Sequence, residues 1–119
     1  MAMQLLFYQS FNQRVPVKEF IEKLQVSDRA HILGCLKSIE ELGFETSRVG
    51  FRQIRGKLWE IKIRAENIGA RVFYVSLTPE KIILLHAYKK QSQKTPDKEI
   101  KIAEKRLDEV LRNENDYIR

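Results

Sequence analysis

The run Trp59–Tyr88, WEIKIRAENIGARVFYVSLTPEKIILLHAY, carries the architecture. In its first segment Trp59, Ile61 and Ile63 alternate with Glu60, Lys62 and Arg64. A period of two makes this a strand with one apolar and one charged face. Glu66-Asn67-Ile68-Gly69 supplies turn residues. Arg71–Leu77 (RVFYVSL) is rich in β-branched and aromatic side chains and reads as the next strand. After a Thr78-Pro79-Glu80 turn, Lys81–Tyr88 (KIILLHAY) is nearly all apolar, the pattern of a strand covered on both faces. Three strands joined by short turns make an antiparallel meander.

Upstream, Gln4–Tyr8 (QLLFY) reads as a short strand. Pro16 suits the first turn of a helix, and Val17, Phe20, Ile21 and Leu24 follow it at helical spacing. Ser27 or Asp28 can cap a second helix, whose apolar set is Ile32, Leu33, Leu36, Ile39 and Leu42. Gly43 is placed to end it in a left-handed cap. Downstream, Lys89–Lys94 is a polar loop. Thr95 caps a last helix with Pro96 at its first position and Ile100, Ala103, Leu107 and Val110 as its buried stripe. The order β-α-α-β-β-β-α gives an α+β fold, with two N-terminal helices and a C-terminal helix on one face of a small, mainly antiparallel sheet. Residues 1–119 make one domain, with roughly the last six residues expected to fray.

Composition excludes several classes. With 43% hydrophobic and 32% charged residues the chain reads as globular, and 5 Gly and 3 Pro argue against a fibrous or disordered one. The single cysteine, Cys35, excludes an internal disulfide framework and a Cys-based zinc site. No apolar run is long enough to span a bilayer, and MAMQLLFYQSFNQR lacks the features of a signal peptide, so the expected location is the cytoplasm. The net charge is +6. It is concentrated: residues 48–94 carry 11 Lys and Arg against 3 Asp and Glu, while the flanking segments are each slightly acidic. Such segregation marks a face for a polyanion.

On one-sided layering, the uncovered sheet face presents Glu60, Lys62 and Arg64, with Arg71 on the next strand and Lys89 and Lys90 leaving the third. Arg55 and Lys57 precede the charged strand, and Lys94 lies beyond the third. This suits a phosphodiester backbone. Metal-free RNA cleavage needs a base for the 2′-hydroxyl, stabilisation of the phosphate charge and a proton for the 5′-oxygen. Arginine and lysine supply the stabilisation, and a carboxylate or a lysine among cations supplies the acid and base. Neither His31 nor His86 has a partner at metal-ligand spacing. Cys35 and Trp59 fall on apolar positions and read as core.

Three blocks together resemble phage-derived HigB-like toxins of the RelE/ParE addiction-module superfamily: Arg55–Lys62 (RGKLWEIK), Ala70–Tyr74 (ARVFY) and Leu84–Pro96 (LLHAYKKQSQKTP). Glu99, Ala103 and Arg106 also fit that family's closing helix. The resemblance is close over residues 51–107 and rests on element order before that. It implies a ribosome-dependent endoribonuclease that cuts messenger RNA in the decoding site with no metal or other cofactor. Arg71 would stabilise the phosphorane-like charge, and Lys89 or Lys90 would protonate the leaving oxygen or hold the phosphate. RelE carries two lysines where this chain has Glu60 and Lys62, so either residue is a candidate base. Arg55, Lys57, Arg64 and Lys94 are the flanking RNA-binding cations.

The resemblance also implies a helix-turn-helix, HigA-like antitoxin that silences the toxin, with DNA contacted only through that complex and no membrane involved. Two other outcomes stand beside it: a toxin of the same fold bound to another target such as DNA gyrase, and a non-catalytic nucleic-acid-binding relic.

Overall fold

A computed structural model describes residues 2–117. The strands are β1 (Gln4–Phe7), β2 (Gly50–Arg55), β3 (Leu58–Arg64), β4 (Gly69–Thr78) and β5 (Lys81–Lys89). The helices are α1 (Pro16–Glu22), α2 (Val26–Leu42) and α3 (Asp97–Arg112). The fold is α+β, built on one five-stranded sheet in the order β1-β5-β4-β3-β2. The meander β3-β4-β5 is antiparallel as expected. β1 joins parallel to β5, Leu5 opposite Ile82 and Phe7 opposite Leu84, which places β5 inside the sheet.

β2 is a strand that apolar alternation along the sequence does not reveal. It pairs antiparallel with β3 through a two-residue hairpin loop, Gly56-Lys57. Gly56 adopts φ +53, the left-handed region such loops demand at this position.

The layering differs from expectation. α1 and α2 bury Val17, Ile21, Ile32, Cys35, Leu36 and Ile39 against Ile61, Ile63, Val72, Tyr74, Ile82 and Leu84. α3 lies on the opposite face, where Ile100, Ala103, Leu107 and Val110 meet Leu58, Phe73, Val75, Ile83 and Leu85. The helices therefore cover both faces. The apolar run in β5 already requires this, because adjacent residues of a strand point opposite ways and each needs a cover.

Local assignments shift too. Leu33 and Leu42 are both half exposed, at the margin of the α2 stripe. Neither Ser27 nor Asp28 caps α2, which begins at Val26. Gly43 has φ +63 as expected for a helix-ending glycine, though its ψ of −142 lies outside the left-handed helical well. Thr95 does not cap α3 either, since Pro96 precedes its first turn and Thr95 bonds elsewhere. Trp59 packs against the α1/α2 core and Cys35 is buried within it. Beyond α3, Glu114–Asp116 form a 3-10 turn, and the Tyr117 carbonyl accepts a hydrogen bond from Lys81 Nζ at 2.8 Å. Ile118 and Arg119, included in the expected frayed tail, lie outside the described residues.

Candidate functional site

α3 covers only part of its face, and the remainder forms the site. Register sets two rows of side chains across it. Arg52, Glu60, Phe73 and His86 stand opposite one another on β2, β3, β4 and β5, and in the next row Lys62 faces Arg71, which faces Tyr88. Leu85 is skipped in the β4–β5 pairing, between partners His86 and Leu84. This extra residue turns both His86 and Tyr88 onto the site's face.

Glu60 has no exposed surface. Its Oε1 accepts from Arg52 Nη2 at 3.0 Å and from Arg71 Nη1 at 3.2 Å, and its Oε2 faces the Tyr88 hydroxyl at 3.4 Å. The Arg71 side chain is 7% exposed. Arg52 Nη2 also donates to Thr95 Oγ1 at 2.7 Å, tying the segment before α3 to the sheet edge. Burial pushes the Tyr88 hydroxyl above its ordinary pKa, with the Thr95 hydrogen bond partly offsetting it. A buried carboxylate is tolerated because each oxygen has a donor.

Phe73, His86 and Tyr88 stack beside this cluster, with ring centroids 5.7 to 6.3 Å apart. Arg106 Nη1 donates to His86 Nδ1 at 3.2 Å and to the Leu85 carbonyl at 3.0 Å. Nε2 then carries the proton and donates to Glu99 Oε1 at 2.7 Å. Burial lowers the His86 pKa, opposed by the Glu99 hydrogen bond. His86 is thus a held, neutral side chain with both nitrogens occupied.

Next to Arg71 the sheet opens into a cleft of about 630 Å³ whose charged lining residues are Lys62, Arg64, Glu66, Arg71 and Lys90. Its far wall is the β3–β4 turn. Lys90 leaves β5 beside Gly69, its backbone N–H donating to the Gly69 carbonyl at 2.8 Å. The Lys90 stem lies over Gly69, where an added Cβ would meet the Lys90 Cβ at 3.4 Å. The turn itself is pinned from α2. The buried Asp28 accepts from the Asn67 backbone N–H at 2.9 Å and from Asn67 Nδ2 at 3.2 Å, and Gln25 and Ser27 also accept from that amide.

The structure therefore joins Glu60, Lys62, Arg64, Arg71 and Lys90. Lys89 stands opposite Ala70 in the register, so strand alternation puts it on the α1/α2 side of the sheet, away from Arg71. Glu60 does not lie on an open face, because Arg52, Arg71 and Tyr88 enclose it. Arg55 pairs with Glu104 of α3 at 3.4 Å. Lys57 sits at the β2–β3 loop, about 20 Å along β3 from Arg64. Lys94 is exposed in the loop before α3. Sequence reasoning missed Arg52, Tyr88, Thr95, Asp28 and Asn67 as site-building residues. The signal for Arg52 was a Gly50-to-Gly56 segment of strand length beside the charged strand.

Among the described residues no three His, Cys, Asp or Glu side chains cluster to hold a metal ion, and no helix is long and apolar enough to cross a membrane. The chain matches no curated protein. The model of the family described as Phage derived protein Gp49-like (DUF891) matches residues 19–108, which span α2, α1 from Glu19 onward, β2 to β5 and most of α3. With its three helices and five-stranded mixed sheet arranged as in a RelE-like fold, the chain belongs to this phage-derived Gp49-like family.

Proposed function

We propose that this protein is the toxin of a type II toxin–antitoxin pair, a HigB-like member of the RelE/ParE superfamily that cuts messenger RNA bound in the ribosome. The observation that carries the reading is one cleft in which Lys62, Arg64 and Lys90 surround Arg71, itself held by a buried Glu60. A guanidinium fixed before substrate arrives costs no reorganisation when negative charge develops beside it. Membership of a phage-derived family supports the same reading.

In this mechanism the RNA phosphate enters the cleft and Lys62 and Arg64 hold its neighbours. Arg71 stabilises the charge that builds on the phosphorus oxygens as the 2′-oxygen attacks. Lys90, which shares the cleft, protonates the departing 5′-oxygen; its place beside Arg71 favours it over Lys89, whose register position is on the other side of the sheet. Glu60 orients Arg71 and takes no proton from substrate, because its oxygens are occupied and enclosed. A helix-turn-helix antitoxin silences the protein, and an acidic segment of it would be drawn to this cleft.

Brief induction followed by primer-extension mapping tests the reading. The wild type should yield transcripts cut within translated codons, and Arg71→Ala should yield none. Arg71→Lys, which keeps a cation beside the buried Glu60, should yield far fewer than the wild type while keeping the wild-type circular dichroism spectrum. Intact transcripts accompanied by DNA damage signals would instead favour a gyrase-directed toxin.

A further inference from the structure

Resting on that proposed cleavage activity, we infer that Glu66 is the catalytic base that takes the 2′-hydroxyl proton. The reaction needs an acceptor, and Glu60 is enclosed by Arg52, Arg71 and Tyr88 with no exposed surface. Lys62 stands opposite Arg71 in the register and lines the cleft with it, a placement that suits it to holding phosphate. Glu66 is exposed, and it is the one carboxylate among the described residues lining the cleft, which it shares with Lys62, Arg64, Arg71 and Lys90.

Its backbone is held as a base requires. The Ala65 N–H donates to the Ile68 carbonyl at 2.9 Å, closing the turn around Glu66. The Asn67 N–H donates to the buried Asp28, fixing the peptide that follows it. The Asn67 side chain is anchored to Gln25, Ser27 and Asp28. A surface turn bound this way to a helix fixes the backbone from which Glu66 reaches into the cleft, so its carboxylate starts close to where general-base catalysis needs it. In the step, the 2′-O–H proton passes to Glu66 as the 2′-oxygen bonds to phosphorus. The P–O5′ bond breaks and the 5′-oxygen takes a proton from Lys90. The products are a 2′,3′-cyclic phosphate and a free 5′-hydroxyl. Proton exchange with water restores both side chains.

The test compares wild type, Glu66→Gln, Glu66→Ala and Arg71→Ala in single-turnover cleavage of messenger RNA on programmed ribosomes, with ribosome binding measured in parallel. Glu66→Gln should bind normally, keep its circular dichroism spectrum and cut about 10²- to 10⁴-fold more slowly. Added acetate should raise the Glu66→Ala rate in proportion to its concentration and leave Arg71→Ala unchanged, a rescue that a structural role would not give. Cleavage by Glu66→Gln within a few-fold of wild type overturns the inference while the cleavage reading survives, and so does failure of acetate to rescue. A wild type that leaves the message intact removes the reading, and the inference with it.

Discussion

Arg71 Nη1 lies 3.2 Å from Glu60 Oε1, although the register places Arg71 opposite Lys62 and Glu60 opposite Phe73. The contact is diagonal, reaching back one row toward α3, at a range open to long side chains. It ties the guanidinium to the Glu60 carboxylate at the wall of the cleft. Arg52 approaches the same carboxylate oxygen from β2, so one anion orients two cations from the strands on its two sides.

Replacing Glu60 should therefore cost more than removing a surface charge. Glu60→Ala leaves Arg71 buried without a partner, and breaking such a pair costs about 3–5 kcal/mol. Urea denaturation should show the lower midpoint with an unchanged slope. Glu60→Gln keeps an acceptor for Arg71 and should lose less. A midpoint for Glu60→Ala within error of wild type would mean that Arg71 holds its place unaided.

Most of the architecture could be read in the residues because it rests on apolar periodicity. Ile32, Leu36 and Ile39 repeat at helical spacing, and Ile61 and Ile63 repeat at strand spacing. β2 escaped because it is an edge strand: Phe51 and Arg52 are both partly buried, so neither face shows a clean apolar row. Glu60 read as an exposed charge because alternation assigns a face and says nothing of what covers it. Its cover comes from Arg52 and Tyr88, with Thr95 behind Arg52, 8, 28 and 43 residues away in the respective hydrogen bonds. Clustering of cations was legible from local charge, whereas the separation of Lys89 from Lys90 depended on the pairing of β5 with β4.

Stability should fall on mild acidification through His86. Its folded-state pKa lies below the ordinary value of 6.5, chiefly because of burial. The unfolded chain then binds more protons in this range, so stability rises with pH. The contribution is complete above pH ~6.5 and is lost as pH falls toward the depressed folded value. Protonation also places a charge against Arg106, whose hydrogen bond needs the Nδ1 lone pair. Denaturant midpoints at pH 7.5 and 5 should differ less in His86→Gln than in wild type; an equal difference would assign the dependence to other groups.

Asp28 should govern the cleft from outside it. Its carboxylate fixes the Asn67 backbone and side chain at the turn that forms the cleft wall. Asp28→Ala should cost about 1.5–3 kcal/mol, the range for hydrogen bonds to a charged group. Amide exchange at residues 66–68 should accelerate beyond what the global loss explains, because the turn opens locally. Asp28→Asn retains one acceptor and should lie between the two. Exchange that accelerates equally throughout the chain would show that Asp28 supports the fold without specifically holding this turn.

The face on which each lysine stands should be visible in salt dependence. Each phosphate neutralised on single-stranded RNA contributes about −0.7 to the slope of log K against log salt. Lys62, Arg64 and Lys90 line the cleft, so each single alanine variant should make the slope shallower by about 0.7, with weakened binding across sequences. Lys89 lies on the other side of the sheet and contacts no phosphate held in the cleft, so Lys89→Ala should leave the slope unchanged. Fluorescence anisotropy of a labelled RNA oligonucleotide, titrated at several salt concentrations, measures this directly. If Lys89→Ala reduces the slope as much as Lys90→Ala, the RNA follows a path across both faces and the cleft bounded by Gly69 and Arg71 is not its principal seat.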